Sequence, residues 1–315
     1  MKKDLLSIKD LAPEDINNIL SLAEKIKKDR SAYAQVLSGK CIGLIFQKPS
    51  NRTRVSFEIG MVQLGGYAIY LGPSELEMGK RESVKDVASV LARYLDGIVA
   101  RTYAHKDLED LARYSSAPII NGLSDLEHPC QALCDIYTIR ERFGSFKNIK
   151  LAYVGDGNNV LNSLLLASAK VGLNIDMAAP KGYGAAKWAR DLAAEFTAKS
   201  GSRMRYYTKA EDAARDADII YTDVWVSMGQ EKESKRRKAA FSGFQVNDRL
   251  LKFARKGCVV MHCLPAHRGE EITDSVIDSP NSVVYDQAEN RMHVEKAILL
   301  MLLGTVPDKG FAYSA

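Results

Sequence analysis

The sequence has no apolar run long enough to cross a bilayer. Its most apolar segment, Ala297 to Leu303, is far shorter than the ~20 residues that a spanning helix needs. The opening Met1-Lys2-Lys3-Asp4 leads into an amphipathic stretch containing acids, without the apolar centre of a signal peptide. Cysteine is scarce and odd in number, at positions 41, 130, 134, 258 and 263. An odd count in a chain of this length argues against a disulfide framework, and free thiols fit a reducing compartment. No Cys-x-x-Cys occurs, Cys130 and Cys134 stand four apart, and no pair has common zinc spacing, so no metal site is expected. A dominant charge sign is missing too. The 44 basic and 39 acidic residues leave +5 over 315 residues, which is too little and too dispersed for a nucleic-acid partner. Charge concentrates only in Lys232 to Lys238 (KESKRRK), which has no aromatic to stack on a base and reads as a solvated helix face. There is no fixed-period repeat and no low-complexity tract. The expectation is a cytoplasmic protein with no membrane or nucleic-acid partner.

What remains is a composition of 46% hydrophobic and 26% charged residues, ordinary for a folded protein, and a length that suits about two domains at ~150 residues each. Short apolar runs alternate with helical periodicity. Strands are expected at Cys41 to Phe46, Tyr67 to Leu71, Gly97 to Ala100 and Pro118 to Ile120. A second series is expected at Lys150 to Val154, Asn174 to Ala178, Ile219 to Tyr221, Cys258 to His262 and Ser282 to Tyr285. Helical spacing covers 14 to 29, 55 to 64, 83 to 95, 108 to 114, 129 to 143 and 292 to 303. This order predicts an α/β protein with parallel sheets covered on both faces and a boundary near 144 to 149.

The first strand runs into Gln47-Lys48-Pro49-Ser50-Asn51-Arg52-Thr53-Arg54. Here a turn leads into a helix, with Ser50 placed as N-cap. Helix N-termini present unpaired N–H groups and attract phosphate, and arginine adds a fixed, forked cation. Arginines in a first helical turn oppose the dipole, so a nearby anion would explain them. Three further groups stand just past apolar runs or at a helix start, where open α/β sheets bind ligands: Arg101, His128-Pro129-Cys130-Gln131 and His262-Cys263-Leu264-Pro265. Taken singly, Arg101 reads as a surface charge, His128 as a polar residue before a proline at N1, and Cys263 as a small buried group. Gly155-Asp156-Gly157-Asn158-Asn159 after a strand suggests part of a dinucleotide fingerprint, with Asp176 about twenty residues on. Val160, however, stands where the third glycine belongs.

In their order along the chain these motifs resemble the aspartate and ornithine carbamoyltransferase family, whose phosphate loop reads Ser-Thr-Arg-Thr-Arg. The resemblance runs from about Ile42 to Leu303, with Asn51 in place of the usual threonine. It implies two domains, each a parallel sheet flanked by helices, joined by two interdomain helices. Residues 1–145 would bind carbamoyl phosphate, with a C-terminal helix at about 291–308 packing back onto them. Residues 146–290 would bind the amine. It implies that Ser50, Asn51, Arg52, Thr53 and Arg101 hold phosphate. Thr53, Arg101 and His128 would steady the carbonyl oxygen, and Gln131 with the Cys263-Leu264 backbone would hold the carbamoyl NH₂. Arg291 would complete that site. Asn159, Asp223, Ser227 and Met228 would bind the amine substrate, and Cys263 would hydrogen-bond the reacting amine. Ser227-Met228-Gly229 resembles the mobile loop of the branch that uses ornithine, so L-ornithine leads over aspartate, putrescine and N-acylated ornithine. A dinucleotide-dependent oxidoreductase is the distant alternative. The family forms trimers, so a homotrimer or a multiple of it is expected, with Glu77 reaching a neighbouring site where relatives often carry glutamine. Neither cofactor nor metal is implied.

Overall fold

A computed structural model of the chain describes residues 3–79, 81–227 and 231–304. These divide into two compact units, one drawn from 3–6, 14–124 and 292–304, the other from 7–13 and 125–291.

The first unit is built on four parallel strands: β1 (Cys41–Phe46), β2 (Tyr67–Leu71), β3 (Gly97–Arg101) and β4 (Ile119–Leu123), in the order β2-β1-β3-β4. A parallel strand covered on both faces must be apolar at successive positions, not alternating ones. Ile42 to Phe46 and Gly97 to Ala100 satisfy this, being buried throughout. Edge strand β2 is only partly covered, with Tyr67 and Ile69 exposed. Ile45, Ile98, Ala100, Leu108, Leu111 and Ile119 share one core. The loop after β1 leads into helix α1 (Asn51–Gln63), and the Ser50 side chain accepts the Thr53 N–H as N-cap, as the sequence predicts.

The second unit carries five parallel strands: β5 (Lys150–Val154), β6 (Asn174–Ala178), β7 (Met204–Tyr207), β8 (Ile219–Thr222) and β9 (Val259–His262), in the order β7-β6-β5-β8-β9. Helix α2 (Pro129–Phe143) is buried from Pro129 to Ile139, and α3 (Asn159–Val171) follows β5. Strand β7 was not predicted. As a half-exposed edge strand of sequence MRYY, it shows no apolar run. Conversely, the predicted strand at Ser282 to Tyr285 is not one. Ser282 makes a single bridge to Val260, and Val284 opens the helix Val284–Leu303. The buried valines 283 and 284 imitate a strand by composition alone. The expected C-terminal helix thus begins earlier, and 305–308 lie outside the described residues.

Candidate active site

In the first unit, the sheet register brings together the residues expected to bind an anion. Phe46 pairs with Arg101 across β1 and β3, and the Gln47 N–H donates to the Arg101 carbonyl at 2.8 Å. The end of β3 therefore lies beside the loop that enters α1. Arg101 is 6% exposed, and Thr53 is fully buried. Ser50 Oγ lies 3.1 Å from Thr53 Oγ1. Asn51 is exposed and Arg52 half-buried at the same helix start. Arg54, the other arginine of the run, is engaged elsewhere, with Glu58 at 2.9 Å and its guanidinium over the Tyr70 ring. Lys48, which the sequence did not single out, is buried in this loop with its ammonium over Tyr103. Glu77 caps the short helix Pro73–Leu76 in the left-handed region, φ 41°.

In the second unit, a larger cluster forms at the carboxyl ends of β5, β8 and β9. Asp223 follows β8 and is 5% exposed. It accepts hydrogen bonds from Asn158 Nδ2 at 2.6 Å, from the Val224 N–H at 2.8 Å and from the Cys263 thiol at 3.1 Å. Asp223 and Cys263, both expected to meet the amine substrate, are thus in direct contact. Asn158, not predicted, is bonded to Asp223 while its Oδ1 caps α3, and Asn159 is the first residue of that helix. Ser227 is half-buried past β8, and Met228 lies outside the described residues. His128 precedes α2 and donates its backbone N–H to Ser163 Oγ. Arg291 is buried in the final helix.

Asp223, His262 and Cys263 could share a cation, as could His267, Glu270 and Glu271. Hydrogen bonding already accounts for the first trio. His262 Nδ1 accepts the Leu264 N–H at 2.9 Å, its Nε2 lies 3.1 Å from Glu271 Oε1, and the thiol donates to Asp223. Those bonds fix the turn that carries Cys263 and Leu264, the latter at φ 58°. Burial first, and then the Asp223 carboxylate, push the Cys263 thiol well above its usual range. The protonated thiol is a hydrogen-bond donor and a poor nucleophile. Mapped alkylation by iodoacetamide at pH 7.5 is therefore expected to modify Cys263 at least ~10-fold more slowly than a free thiol. Reaction at an ordinary thiol rate would overturn this assignment.

The basic stretch Lys232 to Lys238 is not the uniformly solvated face expected of it. Lys232, Lys235, Arg236 and Lys238 are exposed, but Arg237 is buried. Its Nη1 lies 3.0 Å from Asp156 Oδ1 and donates to the Trp225 carbonyl, with the guanidinium over the Tyr183 ring. A carboxylate buried at the end of β5 needs a countercharge, and Arg237 supplies it. Burial still lifts the Asp156 carboxyl to about 6. The dinucleotide reading loses both of its supports. A Cβ on Gly157 would lie 2.1 Å from the Gly184 backbone, so this glycine serves chain packing. Asp176, the acid that would meet a ribose, is buried against Lys150 at 2.8 Å.

Four buried residues of this unit form a network centred on Asp135, which the sequence did not flag. Asp135 accepts from Gln131, Gln287 and Tyr221, and burial raises its carboxyl to about 7 against the pull of these bonds and of Arg291.

A family model described as the aspartate/ornithine carbamoyltransferase carbamoyl-P binding domain matches residues 3–141, and its Asp/Orn binding domain partner matches 147–302. The chain belongs to the aspartate/ornithine carbamoyltransferase family. Among relatives in this family, the ornithine carbamoyltransferase of Pyrococcus horikoshii is 53% identical over 96% of both chains. That of Archaeoglobus fulgidus is 50% identical over 96% of this chain and 98% of its own. The solved ornithine carbamoyltransferase of Pyrococcus furiosus superposes with a TM-score of 0.93, at 50% identity, over 96% of this chain and 97% of that one. The family's domain models meet between 141 and 147. By contacts, the compact units divide at 124/125, which groups α2 with the second unit.

Proposed function

We propose that this protein transfers the carbamoyl group of carbamoyl phosphate to the side-chain amine of L-ornithine, giving L-citrulline and phosphate. The observation that carries the ornithine half is Asp223. It is a buried carboxylate whose three hydrogen-bond donors among the described residues, an amide, a backbone N–H and a thiol, are all neutral. A buried anion without a cation is costly, and the α-ammonium of an amino acid answers it. Asn159, Ser227 and Met228 are assigned to the same amino acid.

In this reading Ser50, Asn51, Arg52, Thr53 and Arg101 hold the phosphate. Thr53, Arg101 and His128 donate to the carbonyl oxygen, where charge accumulates during attack. Gln131 and the Cys263–Leu264 backbone hold the carbamoyl NH₂, and Arg291 completes that end. The ornithine side-chain amine has an unperturbed pKa near ~10.4 and must lose a proton to attack. It attacks the carbamoyl carbon, the bond to the bridging oxygen breaks, and the departing phosphate takes the proton. No covalent enzyme intermediate forms, so Cys263 stays a thiol that hydrogen-bonds the amine. Much of the acceleration comes from positioning.

Self-association is part of the proposal. Val55, Ile59 and Val62 form an exposed apolar stripe at spacings of four and three on α1, and Tyr67 and Ile69 are exposed on neighbouring β2. Such a patch suits a subunit contact, and a homotrimer, with Glu77 reaching the adjoining site, is the assembly we infer. No helix among the described residues is long and apolar enough to cross a membrane. Free cysteines suit the cytoplasm, our inferred compartment.

The test is citrulline formation with ornithine, compared with product formation from aspartate, putrescine and N-acetylornithine. Ornithine should exceed each by ~100-fold or more in kcat/KM, because a polar pocket left unpaired rejects strongly. Turnover confined to another amine would retain the phosphate assignments and remove those to Asp223, Asn159, Ser227 and Met228.

A further inference from the structure

We propose that Asp135 is a positioning residue that fixes which way the Gln131 amide faces, and so selects a carbamoyl group over an acyl group of the same shape. The inference rests on the carbamoyl-phosphate reading above.

The argument starts from a group whose polarity is beyond doubt. The backbone N–H of His262, at the end of β9, can only donate. It donates to Gln287 Oε1 at 3.0 Å. The oxygen of Gln287 is thereby placed, and its Nε2 must point the other way, where it donates to Asp135 Oδ1 at 2.7 Å. Gln131 sits one helical turn before Asp135 on α2, and its Nε2 donates to the same Oδ1 at 2.8 Å. Tyr221 donates its hydroxyl to the other carboxylate oxygen at 3.0 Å. An amide oxygen facing Oδ1 would set two acceptors against each other, so both glutamines are locked.

The lock leaves Gln131 Oε1 as an acceptor. Gln131 is 1% exposed, and among the described residues no donor reaches that oxygen. Buried acceptors are normally satisfied, and an orphaned one is open to a donor that a ligand brings. A carbamoyl NH₂ is such a donor, whereas the methyl of an acetyl group is not. If the amide flipped, its NH₂ would face the substrate NH₂, donor against donor. Asp135 therefore orients the substrate through Gln131 and does not itself need to touch it.

The experiment compares KM for carbamoyl phosphate with Ki for acetyl phosphate, which replaces NH₂ by CH₃. A merely structural defect weakens both together, and loss of the lock changes their ratio. Asp135→Leu removes the acceptor, and the preference for carbamoyl phosphate should fall about tenfold or more. Asp135→Asn can keep an oxygen toward the two glutamines and turn its NH₂ to the Tyr221 oxygen, so it should hold the preference within about threefold. Should Asp135→Leu fail to fold, Asp135→Ser, whose hydroxyl is too short to reach Gln131, is expected to show the same loss. An unchanged ratio in Asp135→Leu or Asp135→Ser, or an equal loss in Asp135→Asn, overturns the proposal. A wild-type enzyme that does not consume carbamoyl phosphate at all would instead remove the reading beneath it.

Discussion

Arg101→Leu is expected to lower kcat/KM for carbamoyl phosphate by about 10³-fold or more, since removal of a single oxyanion donor alone costs 10²–10³. Arg101 is assigned two loads, the phosphate and the carbonyl oxygen, and charge-assisted bonds are about twice as strong as neutral ones. The fold should tolerate the change. The Arg101 main chain accepts from Gln47 whatever its side chain, and leucine suits the buried end of β3. Arg101→Lys should recover only part of the loss, about tenfold, because an ammonium cannot reproduce the planar fork. Initial rates over a carbamoyl-phosphate series, with a melting curve for each variant, decide the matter. A loss under tenfold in a folded Arg101→Leu protein would remove Arg101 from the site.

How much of this was legible beforehand depended on the range of the interaction. Local signals are plain in the sequence. CIGLIF announces a buried parallel strand, and Ser50 announces the cap of α1, which the structure places there. Gly144, which follows the long helical pattern of 129 to 143, is the left-handed cap of α2. Strand β7 was missed because an edge position demands little apolar surface. The false strand at Ser282 to Tyr285 arose because buried valines are equally at home in the first turn of a helix.

Long-range pairings were not legible from local pattern. Asp135 and Gln287 are 152 positions apart, so nothing near either announces their bond. Arg237 is one cation among several in the sequence, and its burial against Asp156, the Trp225 carbonyl and the Tyr183 ring sets it apart. Asn158 and Asn159 are chemically identical neighbours. One turns back to Asp223 and caps α3, while the other opens the helix. Resemblance supplies Asp223 and Cys263 separately, and the second unit's geometry joins them: the thiol donates to the carboxylate. The two glycines of Gly155-Asp156-Gly157 show the reverse error. A motif that suggested a bound pyrophosphate is explained at Gly157 by a neighbouring backbone.

Asp223→Ala should reduce kcat/KM for ornithine by about 10³-fold while leaving KM for carbamoyl phosphate within about threefold, since breaking a buried charge pair costs ~3–5 kcal/mol. The loss is specific because Asp223 is the buried anion assigned to the α-ammonium. It also frees Asn158 Nδ2 and the Cys263 thiol from their acceptor. Asp223→Asn keeps the shape and removes the charge, so it separates the two contributions. If attraction to the ammonium dominates, the Asn variant should lose about as much as the Ala variant. A truncated substrate gives the sharpest reading. 5-Aminopentanoate has the reacting amine of ornithine without the α-ammonium, so the wild-type enzyme should handle it about as poorly as Asp223→Ala handles ornithine. In the variant, deleting the ammonium should change little, because its partner is already gone. Such non-additivity is the mark of two groups in contact. Fully additive losses would mean that Asp223 supports the pocket without touching the ammonium, and the cation would then have to be placed elsewhere in the second unit.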